Sequence, residues 1–323
     1  MSVLQISVQD LNSRAAQLAA QAVEQQNFLR ISCTKSADAT LLDFGVSAEG
    51  GLAAGLLLAR MCMADLADVH LAPADESLVA VPQIFVRTDH PLEACLMSQY
   101  AGWKVATEDY FAMASGPMRA AARKEALFSE FPVLPDEPAA VGVLEAASMP
   151  PEQAVELLRE GTGRQRHLTL AGASTASQAG NIQVVARSVE TALHKLHELN
   201  FPLAAVISGT GTAPLPPVAK NDLHGIGRTN DSILYGATVN LWVRCEDSQI
   251  ETIGPSVPSA SSASHGQTFL TLFKAAHNDF YALDPALFSP AVVVFHNLKT
   301  GRSFRYGHRM PELLRESFGM GSV

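Results

Sequence analysis

Arg187 and Glu190 stand three residues apart in the run AGASTASQAGNIQVVARSVETALHKLHEL, residues 171 to 199. A guanidinium beside a carboxylate can orient that carboxylate by charge-assisted hydrogen bonds and leave it able to accept and return a proton. The same spacing also describes an ordinary i, i+3 surface ion pair, which stabilises a helix by about 0.2–0.5 kcal/mol and does no chemistry. Spacing alone leaves both readings open. Gln183, His194 and His197 fall on the same flank at intervals of three or four. The His-x-x-His interval is not that of a zincin, and no cysteine or carboxylate cluster beside it completes a metal set.

The element that must position these groups is a helix. Ile182, Val185, Ala186, Val189, Leu193 and Leu196 recur with the 3.6-residue period of a face packed on a core. The sequence therefore predicts a small-residue loop running into one long amphipathic helix, with its polar flank along a cleft wall or rim.

A chain of 323 residues exceeds the size at which single cores usually divide, so two domains are expected. The segment SEFPVLPDEPAA at 129 to 140 is rich in prolines and acidic breaks without an apolar period. It sets the expected boundary, with domain 1–130 before it and domain 131–323, carrying the Arg-x-x-Glu helix, after it. Hydrophobic residues make up 47% and charged residues 17%, the composition of a globular protein. A formal charge of −9 argues against nucleic-acid or anionic-membrane partners, which require a basic surface. The four cysteines lack Cys-x-x-Cys spacing and read as reduced packing residues. The start, MSVLQISVQD, has no basic and apolar leader pattern, and the most apolar run, 52 to 64, contains Arg60 and is too short for a bilayer. A cytoplasmic protein is expected.

In chain order, residues 10 to 26 read as a helix, and LRISCTK and TLLDFGV as strands. GVSAEGGLAAGLLLARM reads as a tight turn into a buried helix. LVAVPQIFVRT has a strand pattern whose proline suggests an edge or a bulge. AVGVLEA and HLTLAG are strands flanking a helix opened by Pro151 and stopped at Gly161, and PLAAVISGTG and SILYGATVNLWVRCE are further strands. QTFLTLFKAAHNDF reads as a helix, and AVVVFHN is expected to pair with RSFRYG. Strands and helices mix without a repeating period, which favours an α+β class: two mixed helix/sheet domains with a substrate cleft between them.

Other constellations carry less. SGTGTAPLPP lacks the remainder of a P-loop or dinucleotide fingerprint, and no nucleophile elbow is present. Ser115 and Gly116 precede Pro117 at a helix start whose amides suit an anionic or carbonyl group, although capping explains them equally. Arg228, Thr229, Asn230 and Asp231, placed on a Gly-rich loop entering a strand, form a dense donor and acceptor set or a turn. Asp279, Phe280 and Tyr281 offer an aromatic for stacking or a helix-end packing group.

The runs NIQVVARSVETALHKLHELNF, GRTNDSILYG and DFYALDPALFSPAVVV, with QYAGW and SGPMRA, resemble the methenyltetrahydromethanopterin cyclohydrolases over nearly the whole chain. The resemblance implies hydrolysis of the methenyl bridge of 5,10-methenyltetrahydromethanopterin to the 5-formyl derivative, in one-carbon metabolism. It places Arg187 and Glu190 at the active centre: Glu190 takes a proton from water and returns it to the departing nitrogen, and Arg187 holds that carboxylate ionised. It makes Gln99, Tyr100, Ser115, Gly116, Thr229, Asn230, Asp231, Asp279, Phe280 and Tyr281 the candidates for the pterin. It implies a tetrahydromethanopterin derivative as substrate, no metal or prosthetic group, and a homotrimer. PSVPSASSASHGQTF departs from the family pattern, so contacts to the distal tail of the cofactor are not carried over. The competing readings are another pterin or purine ring-opening cyclohydrolase, and a noncatalytic pterin-binding or subunit-binding protein in which the pair is structural.

Overall fold

Strand pairing in the computed structural model, which describes residues 8–36 and 38–320, follows from where the apolar runs alternate and where they do not. The chain forms two compact units, each discontinuous in sequence: residues 1–67 with 92–183, and residues 68–91 with 184–323. The class is α+β, as expected. Among the described residues, no helix is long and apolar enough to cross a membrane.

The strands among the described residues are β1 (Ser32–Ser36), β2 (Ala39–Gly45), β3 (Asp68–Ala72), β4 (Gln83–Thr88), β5 (Trp103–Ala106), β6 (Phe111–Ser115), β7 (Ala139–Glu145), β8 (His167–Ala173), β9 (Val206–Pro214), β10 (Thr238–Val243), β11 (Val292–Asn297) and β12 (Ser303–Gly307). The helices are α1 (Leu11–Glu24), α2 (Gln26–Leu29), α3 (Leu52–Cys62), α4 (Met118–Ala122), α5 (Glu152–Thr162), α6 (Gln178–Val185), α7 (Ser188–Glu198), α8 (Asp222–Asp231), α9 (Asp247–Ile253), α10 (Phe269–Ala275) and α11 (Pro311–Phe318).

In the first unit a six-stranded mixed sheet runs in the order β1-β2-β8-β7-β6-β5, with β2, β8 and β7 mutually parallel. These three central strands are apolar on both faces, as strands covered on both sides must be. Leu42, Phe44, Val141, Val143, Ala171 and Ala173 face a core shared with α1 and α3. The alternate residues Leu41, Ala140, Leu144, Leu168 and Leu170 face a second core with Val155 and Leu158 of α5. After β2 the chain turns back on itself, and the Asp43 carboxylate accepts the backbone N–H groups of Gly45, Val46, Ser47 and Ala48 at 2.7–3.0 Å. Gly50 ends this turn at φ +62°, where a Cβ would stand 2.1 Å from the Phe44 carbonyl oxygen. The expected tight turn into a buried helix is thus present. Residues 129 to 140, read as an interdomain linker, lie within the first unit and lead into β7 of its sheet.

In the second unit the sheet order is β12-β11-β10-β9-β4-β3. β11 and β12 pair antiparallel with Val293 opposite Tyr306, as the sequence predicts. Two expectations need correction. Strand β4 lies inside the sheet, between β9 and β3, and Pro82 sits just before its first residue, where the ring removes no ladder hydrogen bond. The segment GRTNDSILYG is not a loop entering a strand: Asp222–Asp231 is helical, a π-helix follows over Ser232–Gly236, and the strand begins only at Thr238. The Asn221 side chain caps that helix by accepting from the His224 backbone N–H, a local device that outweighs its two interior glycines, Gly225 and Gly227.

Candidate active site

The predicted long helix is two helices. Val185 ends α6, the chain turns through Ala186 and Arg187, and α7 starts at Ser188. Arg187 is the N-cap of α7, with φ −86° and ψ 7°, and its amide donates to the Val184 carbonyl at 3.1 Å, three residues back. The Arg187 carbonyl then accepts from the Thr191 amide at 2.9 Å and the Thr191 hydroxyl at 2.8 Å. The apolar period survives the break: Ile182, Val185, Ala186, Val189, Leu193 and Leu196 are all fully buried. A period in the sequence reports which side faces a core, and a break that preserves the phase leaves it unchanged.

The break changes what the polar flank is. Arg187 is 7% exposed and Glu190 6% exposed, so they are largely buried and not the ordinary surface ion pair that spacing alone leaves open. Glu190 occupies the third position of α7, where the positive end of the helix dipole favours a carboxylate. Arg187 lies between the C-terminal end of α6, which favours a cation, and the N-terminal end of α7, which does not, and a buried charge is costly unless it is held by its surroundings.

The seat of α7 explains the glycine run that follows it. Gly209 and Gly211, two apart on β9, share one face of the strand. A Cβ on Gly211 would fall 2.3 Å from Ser188 Oγ, and one on Gly209 would fall 3.0 Å from Val189 Cγ1. SGTGT is a close-approach surface for the first turn of α7, a use that its sequence pattern does not announce. Further along α7, Lys195 is 4% exposed and its Nζ donates to the Ala286 carbonyl at 3.1 Å, with burial pushing its pKa down. His194 Nδ1 lies 3.7 Å from Glu198 Oε1 and His197 is half-buried on the same helix.

Thr229, Asn230 and Asp231 share the last turn of α8. Thr229 Oγ1 donates to the Gly225 carbonyl and Asn230 Nδ2 to the Ile226 carbonyl, both at 2.9 Å. Asp231 is fully buried, and its two oxygens accept from the Phe269 amide at 2.7 Å and from Ser317 Oγ at 2.5 Å, joining α8 to α10 and α11. Burial pushes its carboxyl up to about 7 against the pull of these two hydrogen bonds. Asp279 caps its own turn by accepting from the Tyr281 amide, Phe280 packs against Phe273 at 4.5 Å between ring centroids, and Tyr281 is 77% exposed.

In the first unit the four candidates are neighbours. A π-helix, Leu92–Gln99, ends at the fully buried Gln99, followed by the half-buried Tyr100. The Gly116 amide donates to the Ser98 carbonyl at 2.8 Å, which brings Ser115 and Gly116 beside the end of that helix. Ser115 Oγ donates to the Val143 carbonyl and lies 3.3 Å from Cys62 Sγ, which also receives Gln183 Nε2 at 3.6 Å. π-helical turns are rare and concentrate at functional sites. Both such segments here adjoin candidate residues, and neither is visible in the sequence. A hollow of about 490 Å³ in the first unit, lined among others by Glu152, Glu156 and Glu160, includes none of the candidates.

Residues 10–318 match the protein-family model described as Cyclohydrolase (MCH). The chain belongs to this family. Among its cyclohydrolase relatives, the protein named methenyltetrahydromethanopterin cyclohydrolase from Rhodopirellula baltica is 49% identical over 290 residues, covering 88% of this chain and 87% of that one. The proteins of the same name from Methylobacillus flagellatus and Methanosarcina mazei are 41% and 40% identical, covering 92% and 88% of this chain and 91% and 90% of theirs. As a member of the cyclohydrolase family, the chain is a hydrolase acting on a cyclic amidine, and the matched span includes α7 with Arg187 and Glu190.

Proposed function

We propose that this chain hydrolyses the methenyl bridge of 5,10-methenyltetrahydromethanopterin to the 5-formyl derivative, with Glu190 as proton-transfer group and Arg187 as its positioning partner. The observation that carries the reading is the burial of both side chains at the N-terminus of α7 in a member of this family. The bridging carbon of the substrate lies between two nitrogens and is already cationic. Water adds to that carbon as the Glu190 carboxylate takes one of its two protons; that proton passes to the departing nitrogen as one carbon–nitrogen bond opens, and the remaining hydroxyl proton leaves to solvent as the formyl C=O forms, carrying away the substrate's positive charge. The formyl group stays on the other nitrogen, and no oxidant or activating metal enters the balance.

An interior carboxylate suits this role, because removal from water strengthens its interaction with a cationic carbon. Arg187 can hold Glu190 by two parallel hydrogen bonds, at the cost of repulsion toward the same carbon. The resemblance makes Gln99, Tyr100, Ser115, Gly116, Thr229, Asn230, Asp231, Asp279, Phe280 and Tyr281 the proposed pterin contacts, although Asp231 is fully buried with both oxygens engaged by Phe269 and Ser317 and acts through the packing of α8. The working form is a cytoplasmic homotrimer, and light scattering should give three times the 34.4 kDa of one chain. The deciding assay incubates purified protein with the methenyl compound and follows loss of its near-ultraviolet absorbance. Steady loss proportional to enzyme supports the reading; binding without loss returns the pair to a structural role.

A further inference from the structure

Arg119, on α4, is fully buried, and its hydrogen bonds reach the polypeptide around the four first-unit candidates. Its Nη1 donates to the Leu96 carbonyl at 2.9 Å and to the Ser98 carbonyl at 3.3 Å. These carbonyls belong to the final turn of the π-helix, where helices leave acceptors unmatched and a cation is favoured. Nε donates to Glu125 Oε1 at 2.6 Å. The guanidinium carbon lies 5.0 Å from the Tyr100 ring centroid and 5.2 Å from that of Phe128. The Ser98 carbonyl is shared, since it also accepts the Gly116 amide at 2.8 Å.

From this arrangement we infer that Arg119 is a positioning residue for substrate binding: it fixes Gln99 and Tyr100 relative to Ser115 and Gly116 by clamping the end of the π-helix to the start of α4. The inference rests on the proposed function, which makes those four residues substrate contacts. A purely structural ion pair needs only the carboxylate of Glu125. The two carbonyls one residue and three residues before Gln99, with the face of the Tyr100 ring, are contacts that set where the candidates stand. Lysine cannot replace this geometry, because it offers one point charge where the planar fork meets a carboxylate, two carbonyls and two rings.

The test is steady-state kinetics on full-length Arg119→Lys and Glu125→Gln beside the unaltered protein, with melting temperature measured in parallel. Arg119→Lys should raise KM roughly tenfold while kcat stays within about twofold, the pattern of lost ground-state positioning. Glu125→Gln, which loosens the guanidinium without removing it, should raise KM in the same direction by a smaller factor, and it decides the matter if the lysine variant does not fold. A lowered melting temperature with KM unchanged overturns the inference, as does a fall in kcat with KM unchanged. Failure of the unaltered protein to hydrolyse the methenyl compound overturns the functional reading first, and is separately visible in that control.

Discussion

Ser188 lies against Gly211 so closely that a Cβ on the glycine would stand 2.3 Å from the serine Oγ and 3.1 Å from its Cβ. The first turn of α7 is therefore seated directly on the backbone of β9. Gly211→Ala should displace that turn, lowering stability by about 1–3 kcal/mol, as overpacking does. Because Arg187 and Glu190 move with the turn, turnover should fall by more than the unfolded fraction explains. Adding Ser188→Ala, which removes the nearest atom, should recover part of both losses; urea midpoints and kcat for the single and double variants check this.

Glu190→Gln keeps size and polarity and removes the base. Turnover should fall roughly 10²- to 10⁴-fold, the usual range for a lost general base. Its 6% exposure makes a parallel melting curve part of the measurement. Near-normal turnover, or loss only in proportion to unfolding, would make the residue a structural one.

Arg187→Lys keeps the charge at the N-cap of α7 and loses the planar fork. A marked drop in kcat with an unchanged circular dichroism spectrum is expected. Full activity in the lysine variant would mean that charge alone suffices there.

Asp231 supplies a pH prediction. Its folded carboxyl is raised to about 7, whereas an unfolded aspartate titrates near roughly 3.9. The folded state therefore binds the proton more tightly, and the contribution to stability is complete below about pH 4 and lost as pH rises through about 7. Asp231→Asn, which remains neutral, should gain stability relative to the unaltered protein between pH 5 and pH 8, with an upper limit on the order of 3 kcal/mol over that interval. Denaturant midpoints at the two pH values give the comparison, and a constant difference would refute a titrating Asp231.

The sequence was informative where side-chain pattern and backbone agree, and silent where backbone hydrogen bonding alone decides. The short continuous apolar runs TLLDFGV and AVGVLEA mark β2 and β7, and the proline-opened α5 is legible from its flanks. The turn at Ala186 and Arg187 was hidden because the apolar phase continues through it. The π-helices at 92–99 and 232–236 were hidden for a related reason: an altered hydrogen-bond step within a run of buried residues leaves no mark on their order. The burial of Arg187 and Glu190 could not be read from spacing, since the same interval occurs on exposed helices. A lone arginine four residues after Ser115 carries no signature in the sequence, because what distinguishes Arg119 is the pair of carbonyls it meets.

The discontinuity of the second unit has a consequence for the order of synthesis. The hairpin of β3 and β4, complete at Thr88, has its next partner in β9, which ends at Pro214, so 214 − 88 = 126 further residues must be made before that edge is covered. At roughly 5–20 residues per second this is a wait of about 6–25 s. Two strands alone are marginally stable, and an open strand edge invites pairing with other chains. Meanwhile residue 183 completes the first unit well before β9 is made. A nascent chain therefore carries one finished unit and one waiting hairpin, and slowing translation between residues 89 and 214 should raise aggregation more than slowing it after residue 214.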